Sequence, residues 1–266
     1  MSSRVLISSL ILFMACGAVS ADTIDAYTVD GQMGENIWLY MPAGGATGPM
    51  QIQQTYFTGV IDIVLHANNQ AYYRNTLCVD LFTDILIGQT YFTHVGAPDW
   101  VEKQFPKYGN TLSESAWLID EELPAVEAAV TNPTAFETAH GGSKAMGAGL
   151  QLAIWKITVD GGGDFSSGLV QAVFDGLTPG GNSANATDPN ALFWAEQYEA
   201  AVLTTPPHSS NLAFVYINSS KDGYAQMLEG PEFGTGPQQS TPEPSTLGLG
   251  GLGLVVASLF LRKRFA

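Results

Sequence analysis

Hydrophobic patterning changes along this chain, and the change limits the folds open to it. From Thr23 to about Phe92 the sequence reads as short strands. "ENIWLYM", "MQIQQTYF", "GVIDIVLHA" and "TLCVDLF" are rich in β-branched and aromatic residues, and Gly, Asn and Pro separate them. "GGATGP" is a plain loop. The middle reads as helix. "TLSESAWLIDEELPAVEAAV" takes Ser113 as its N-cap and is interrupted or kinked at Pro124. "GGSKAMGAGLQLAIWKITV" begins Gly-rich and continues as an apolar helix. "SSGLVQAVFDGL" and "DPNALFWAEQYEAAVL" are two more, the second capped by Asp188 with Pro189 at its first position. Strands return at the end, where "NLAFVYINS" and "YAQMLEG" flank the hairpin signal "SKDG". No internal repeat is present. The order predicts an α+β fold: an antiparallel β-sheet framework or sandwich with an inserted helical subdomain.

The two ends are expected to stay outside that fold. Residues 1–21 read as a signal peptide, with Arg4, the apolar run "VLISSLILFMACGAV" and small residues Val19-Ser20-Ala21 at the cleavage position. Cleavage there removes Cys16. A lipoprotein reading, which would keep Cys16, ranks second because Phe13 and Met14 are poor residues before a lipid-bearing cysteine. At the other end Pro242-Glu243-Pro244 breaks regular structure, Leu247 to Leu261 is apolar, and Arg262, Lys263 and Arg264 follow. As a helix that apolar run spans about 22 Å, short of the roughly 30 Å of a bilayer core. The basic cluster favours a cytoplasmic extreme C-terminus, with the rest outside. The three parts in this order resemble the PEP-CTERM signal of Gram-negative bacteria. That resemblance implies recognition by an exosortase-type membrane protease and delivery to the outer envelope or the extracellular matrix. The expected organisation is a signal peptide over 1–21, a body over 22–230, a Pro/Gly/Gln linker over 231–241 and the sorting tail with a short transmembrane segment over 242–266.

The full chain has 25 acidic and 10 basic residues. Taking away Arg4, Arg262, Lys263 and Arg264 leaves 6 basic residues, and taking away Glu243 leaves 24 acidic ones, so the body is near −18. Such a charge repels nucleic acid and anionic membrane surfaces, so neither is expected as a partner. It suits solubility in a matrix. The body retains one cysteine, Cys78, so it can form no internal disulfide, and an odd cysteine in an oxidising compartment is worth flagging.

Cys78 lies in an alternating stretch, with Leu77, Val79 and Leu81 on one face and Cys78, Asp80 and Phe82 on the other. Taken alone, it has an ordinary explanation as a small buried hydrophobe. In "GLQLAIWKI", Leu150, Ile154 and Ile157 make one helical stripe, while Gln151 shares a face with Trp155. A first-turn glutamine beside a core tryptophan is the ordinary explanation there.

Together, "LCVD" and "LQLAIW" resemble the bacterial thioester domain family, whose members pair a cysteine on a strand with a Thr-Gln-x-Ala-[Ile/Val]-Trp stretch. Matched residue by residue, Cys78 is the cysteine, Gln151 the glutamine, and Ala153, Ile154 and Trp155 complete the stretch. Leu150 stands where the family usually has Thr. The resemblance runs from about Tyr72 to Tyr224 and marks the 22–230 body as a thioester-type domain. It implies an internal thioester between Cys78 and Gln151 that an amine on a surface or matrix partner can open, leaving a covalent amide. It implies adhesion without turnover rather than an enzyme, and no cofactor.

Other constellations are weaker. Asp160-Gly-Gly-Gly-Asp164 is a solvated turn more readily than a calcium loop. His66, His94, His140 and His208 have no metal-ligand spacing, so no metal is expected. No nucleophile-elbow, HExxH or phosphate-loop pattern occurs, and Gly147-Ala148-Gly149 has no strand leading into it. Trp38, Trp100, Trp117 and Trp194 could stack on sugars but suit a core. The alternatives to the thioester reading are a structural envelope or exopolysaccharide-matrix protein with an inert Cys78, and a carbohydrate-binding module.

Overall fold

Two long strands carry most of the framework. The computed structural model describes residues 22–42, 45–67, 70–108, 111–173, 187–204, 213–220, 223–224 and 226–231. All belong to the unit Ala21–Phe233. Strand β1 (Thr23–Pro42) and strand β2 (Met50–Ala67) pair antiparallel from Thr23 opposite His66 to Pro42 opposite Met50. Shorter strands were expected here, broken at glycines. Gly59 instead lies within β2 at φ 149°, where a Cβ would stand 2.4 Å from the Cα of Gly34 on β1. The glycine pair lets the two backbones meet beside a register shift, so the ribbon bends without ending.

Strands β3 (Gln70–Cys78), β4 (Thr90–Gly96), β5 (Gln171–Ala172), β6 (Ala213–Ser220), β7 (Gly223–Tyr224) and β8 (Leu228–Pro231) complete one sheet. Its order is β2-β3-β8-β6-β4-β1-β5, β1 also pairs with β2, and every pairing is antiparallel. The sheet therefore closes on itself through β1, β2, β3, β8, β6 and β4, leaving none of these six as an edge. The expected hairpin forms: Ser220 lies opposite Gly223 across Lys221-Asp222, which lie outside the described residues.

The helices fall between β4 and β6, apart from the small strand β5, which gives the α+β architecture the sequence predicts. They are α1 (Pro98–Gln104), α2 (Thr111–Thr131), α3 (Ala135–Ala139), α4 (Gly142–Trp155) and α5 (Pro189–Thr204). A single π-helical turn, Lys156–Asp160, prolongs α4. Three local expectations are corrected. Ser113 lies within the first turn of α2 rather than capping it; its N–H donates to Glu102 Oε1 at 2.7 Å, so a carboxylate from α1 satisfies that free donor. Pro124 does not interrupt α2, because Ile119 and Leu123 before it and Val126 and Ala129 after it are all buried, and that packing holds the helix through the proline. The stretch "SSGLVQAVFDGL" is not helical where it is described. Gln171 and Ala172 pair with Tyr40 and Leu39 of β1, and the Val173 N–H donates to Thr187 Oγ1 at 2.8 Å, so its backbone groups find partners outside any helix. The cap on α5 is as expected: Asp188 Oδ1 accepts from the Asn190 and Ala191 N–H groups at 2.6 and 3.2 Å.

Helix α4 sits at the centre, buried from Ala145 to Trp155. One apolar cluster joins Met146, Leu150, Ala153 and Ile154 of α4 to α2 and to Leu77, Val79 and Val215. A second joins Ala148, Leu152 and Trp155 to the Ile- and Leu-bearing faces of β1 and β2 and to Cys78. The helix thus packs on α2 with one side and on the sheet with the other.

Candidate site at the end of β3

At Thr76, β3 still pairs with Ile61 of β2, but no earlier residue of β2 pairs with it. On its other edge Leu77 and Cys78 lie opposite Glu229 and Leu228 of β8, and the Val79 N–H donates to Met227 O at 3.1 Å. Hydrogen-bonded pairs alternate along an antiparallel ladder, so the backbone N–H and C=O of Cys78 point away from β8, toward the side β2 has left. Buried and unmatched, those two groups would each cost about 1–3 kcal/mol.

Gln151 supplies the missing partner. The Cys78 N–H donates to Gln151 Oε1 at 2.8 Å, and Gln151 Nε2 donates to Cys78 O at 2.7 Å. The carboxamide binds as the peptide group of a neighbouring strand would. Both residues are buried, Cys78 with 5% exposure and Gln151 with 1%. Gln151 lies in the second half of α4, not the first turn.

What seats α4 so closely is a pair of glycines. A Cβ on Gly147 would lie 2.1 Å from the carbonyl oxygen of Met33 on β1, and one on Gly149 2.5 Å from the Cβ of Trp194 on α5. The Gly-Ala-Gly stretch is therefore a helix-packing device, which agrees with its exclusion as a dinucleotide fingerprint.

Three features govern the chemistry. The amide carbon of Gln151 lies between two atoms hydrogen-bonded to the Cys78 backbone, which places it against that residue. Its carbonyl oxygen already accepts a hydrogen bond from the Cys78 N–H, the arrangement that stabilises charge developing on a carbonyl oxygen. The thiol itself is not activated by its surroundings: burial, then the charge of Asp80, pushes it well above the ordinary thiol range, so it stays protonated.

The alternation read from the sequence holds from Leu77 to Val79 and then fails. Strand β3 ends at Cys78, and Leu81 joins the cluster of Cys78 rather than that of Leu77. Of the residues flanking Gln151, Trp155 shares the Cys78 cluster, whereas Ala153, Ile154 and Leu150 belong to the cluster that joins α2 to Leu77 and Val79. Trp155 is 3% exposed, and its indole Nε1 has no hydrogen-bond partner.

The remaining candidates are not brought together. His66 pairs with Asp25 at 2.9 Å on the surface, His140 stacks on Phe193, and His94 lies against Trp100; His208 is outside the described residues. Among the described residues no group of His, Cys, Asp and Glu could hold a metal ion. Trp194 is nearly buried, Trp38 and Trp117 are half-buried, and Trp100 is exposed. The expected turn is solvated at Gly161, Gly163 and Asp164, but the side chain of Asp160 is turned inward. It pairs with Lys156 Nζ at 2.8 Å, with side-chain exposures of 8% and 1%, and accepts the N–H groups of Leu169 and Val170. Lys156 also donates to the carbonyls of Ser167 and Val170, and the knot fixes the end of α4. The four-residue spacing of Lys156 and Asp160 in an apolar stretch was the available signal. Glu229, fully buried opposite Leu77, also escaped the sequence reading, and strand alternation alone offers no means of finding it.

Pro242, Glu243, Pro244, Arg262, Lys263 and Arg264 lie outside the described residues, but the PEP-CTERM protein-sorting motif matches residues 240–264. The motif indicates an exported protein sorted to the envelope. No curated protein matches the chain. Two solved structures are similar. The N-terminal thioester domain of a surface protein from Clostridium perfringens shares 12% identity at a TM-score of 0.32, covering 65% of this chain and 89% of that one. The N-terminal domain of the Streptococcus pyogenes pilus tip adhesin Cpa shares 12% identity at a TM-score of 0.39, covering 81% of this chain and 99% of that one. Among the described residues no helix is long and apolar enough to cross a membrane, and the expected tail segment lies outside them.

Proposed function

We propose that this envelope protein captures amine-bearing partners covalently through a Cys78–Gln151 thioester. The observation that carries the reading is the buried carboxamide of Gln151 held on both backbone groups of Cys78. Formation balances within the pair: Cys78 Sγ bonds to Gln151 Cδ, the Cδ–Nε2 bond breaks, and the thiol proton leaves with Nε2 as ammonia. Enforced proximity supplies the drive, since well-oriented intramolecular partners reach effective molarities of about 10⁵–10⁸ M. Trp155 and Leu228 keep water from the bond. An amine then attacks the same carbonyl carbon, the C–S bond breaks, and a proton from the amine restores the thiol. The protein becomes joined to its partner by an amide, once, so it is an adhesin-like binder and not an enzyme. An exosortase-type protease would remove the tail after transient anchoring in the inner membrane of a Gram-negative cell. The partner would be a surface or matrix component bearing an amine, and exopolysaccharide is a second candidate.

A second reading rests on the raised thiol. Gln151 would serve as a clip closing the gap left by β2, with Cys78 inert, in a structural envelope or matrix protein. Reaction of the purified protein with methylamine separates the two. Covalent uptake at Gln151, lost in both Cys78→Ala and Gln151→Ala, supports capture. Free alkylation of Cys78 in unfolded protein, with Gln151 unmodified, supports the clip.

A further inference from the structure

We propose that the indole N–H of Trp155 is a hydrogen-bond donor to the carbonyl oxygen of the Cys78–Gln151 thioester and of the tetrahedral adducts that form and open it. The inference rests on the thioester reading and adds a catalytic residue to it. Trp155 follows Gln151 by one helical turn, so the two share a face of α4. Long side chains on a helix lean back over the preceding turn, which places this indole over the position of Gln151. The ring belongs to the apolar cluster that holds Cys78, Leu81 and Leu228.

An indole nitrogen offers a donor and nothing else, and a buried one normally finds an acceptor. This one is buried with none. In the amide state Gln151 Oε1 accepts from the Cys78 N–H and Nε2 donates to Cys78 O, while the second lone pair of Oε1 is not met by the indole, which has no acceptor. Bond formation draws the carbonyl carbon off the backbone groups and toward Sγ. Loss of Nε2 as ammonia ends the second of those hydrogen bonds, and the oxygen, carrying negative charge in the adduct, becomes free to turn. Trp155 then supplies a second donor beside the Cys78 N–H. A donor left unmatched in the resting amide and matched as charge develops favours the reacting state over the ground state.

The test replaces Trp155 with β-(3-benzothienyl)alanine, which keeps the ring's size and loses the N–H, and with Phe as a second variant. Each is made in the otherwise unaltered protein and in Cys78→Ala. Intact mass gives the fraction that has lost ammonia, and the rate of methylamine uptake gives reactivity. The carbonyl infrared band of the thioester reports its hydrogen bonding. The expected result is a loss of about 10²–10³-fold in methylamine rate, the scale for removing one such donor, with the band shifted up in frequency. In the Cys78→Ala background, where no thioester forms, the isostere should melt no lower than its parent. A parent protein short of one ammonia, with variants that react at its rate, overturns the role of Trp155 and leaves the thioester standing. A parent with its full mass overturns both.

Discussion

Gly147→Ala tests whether α4 is seated by backbone contact with β1. The new Cβ would lie 2.1 Å from Met33 O, where ordinary contact begins at 3.4 Å, so helix and strand must part by about 1.3 Å. Met33 is poorly placed to give way, because Gly34 beside it is pressed against Gly59. Gly147 lies one turn before Gln151, and a shift of that size carries the carboxamide from 2.8 and 2.7 Å to about 4 Å from its Cys78 partners, past hydrogen-bonding distance. Overpacking costs about 1–3 kcal/mol. Two stranded backbone groups cost about 1–3 kcal/mol each. The gain from replacing Gly by Ala in a helix is about 1 kcal/mol. The net at mid-range is a loss of about 5 kcal/mol, which for a domain of this size lowers Tm by about 15 °C. Thermal unfolding followed by circular dichroism measures it in Cys78→Ala, which keeps the carboxamide, with Gly31→Ala as control, since nothing lies within 4 Å of a Cβ there. A Gly147→Ala protein that melts with the parent, or above it, would refute the reasoning.

Glu229→Gln should change the pH dependence of stability. Glu229 is fully buried, and Ser115, whose hydroxyl donates to Leu112 O at 3.0 Å, stands 2.5 Å from its Oε2. Burial holds its pKa well above the ordinary carboxylate value, against the Ser115 hydroxyl and with Asp120 and Glu102 adding to the effect. Above that value the folded state holds a proton the unfolded chain has lost, so stability falls as pH rises, by about 1.4 kcal/mol per unit until the folded group ionises. The variant should match the parent near pH 4 and exceed it increasingly toward neutral pH in urea titrations; parallel curves would contradict this. Asp160→Asn removes the one carboxylate paired with the buried Lys156 and should cost about 3–5 kcal/mol by the same titrations, while Lys103→Ala, on an exposed helix pair, should cost under about 0.5 kcal/mol.

Much of this was legible in the sequence. The sheet-forming start, the cap of α5 at Asp188 and the hairpin at "SKDG" follow from local chemistry, which tertiary contacts reinforce. Cys78 and Gln151 stand 73 residues apart, and the structure does bring them together. Periodicity could not do so; the pairing came from resemblance. What local chemistry missed depends on neighbours distant in sequence. Ser113 lost its cap role to Glu102 of another helix. The segment around Gln171 became a strand because β1 offered it a ladder. Ala153 stood next to Gln151 in the motif, yet two positions on it lies about 160° away around the helix. The role of Gly147 shows only once Met33 is seen against it.

The central claim is chemical, and the intact mass of the purified protein tests it most directly, before and after methylamine. The thioester account predicts a mass short by one ammonia that rises by one methylamine on treatment, with neither change in Cys78→Ala or Gln151→Ala. A protein of full mass, with a thiol that alkylates stoichiometrically on unfolding, would contradict it.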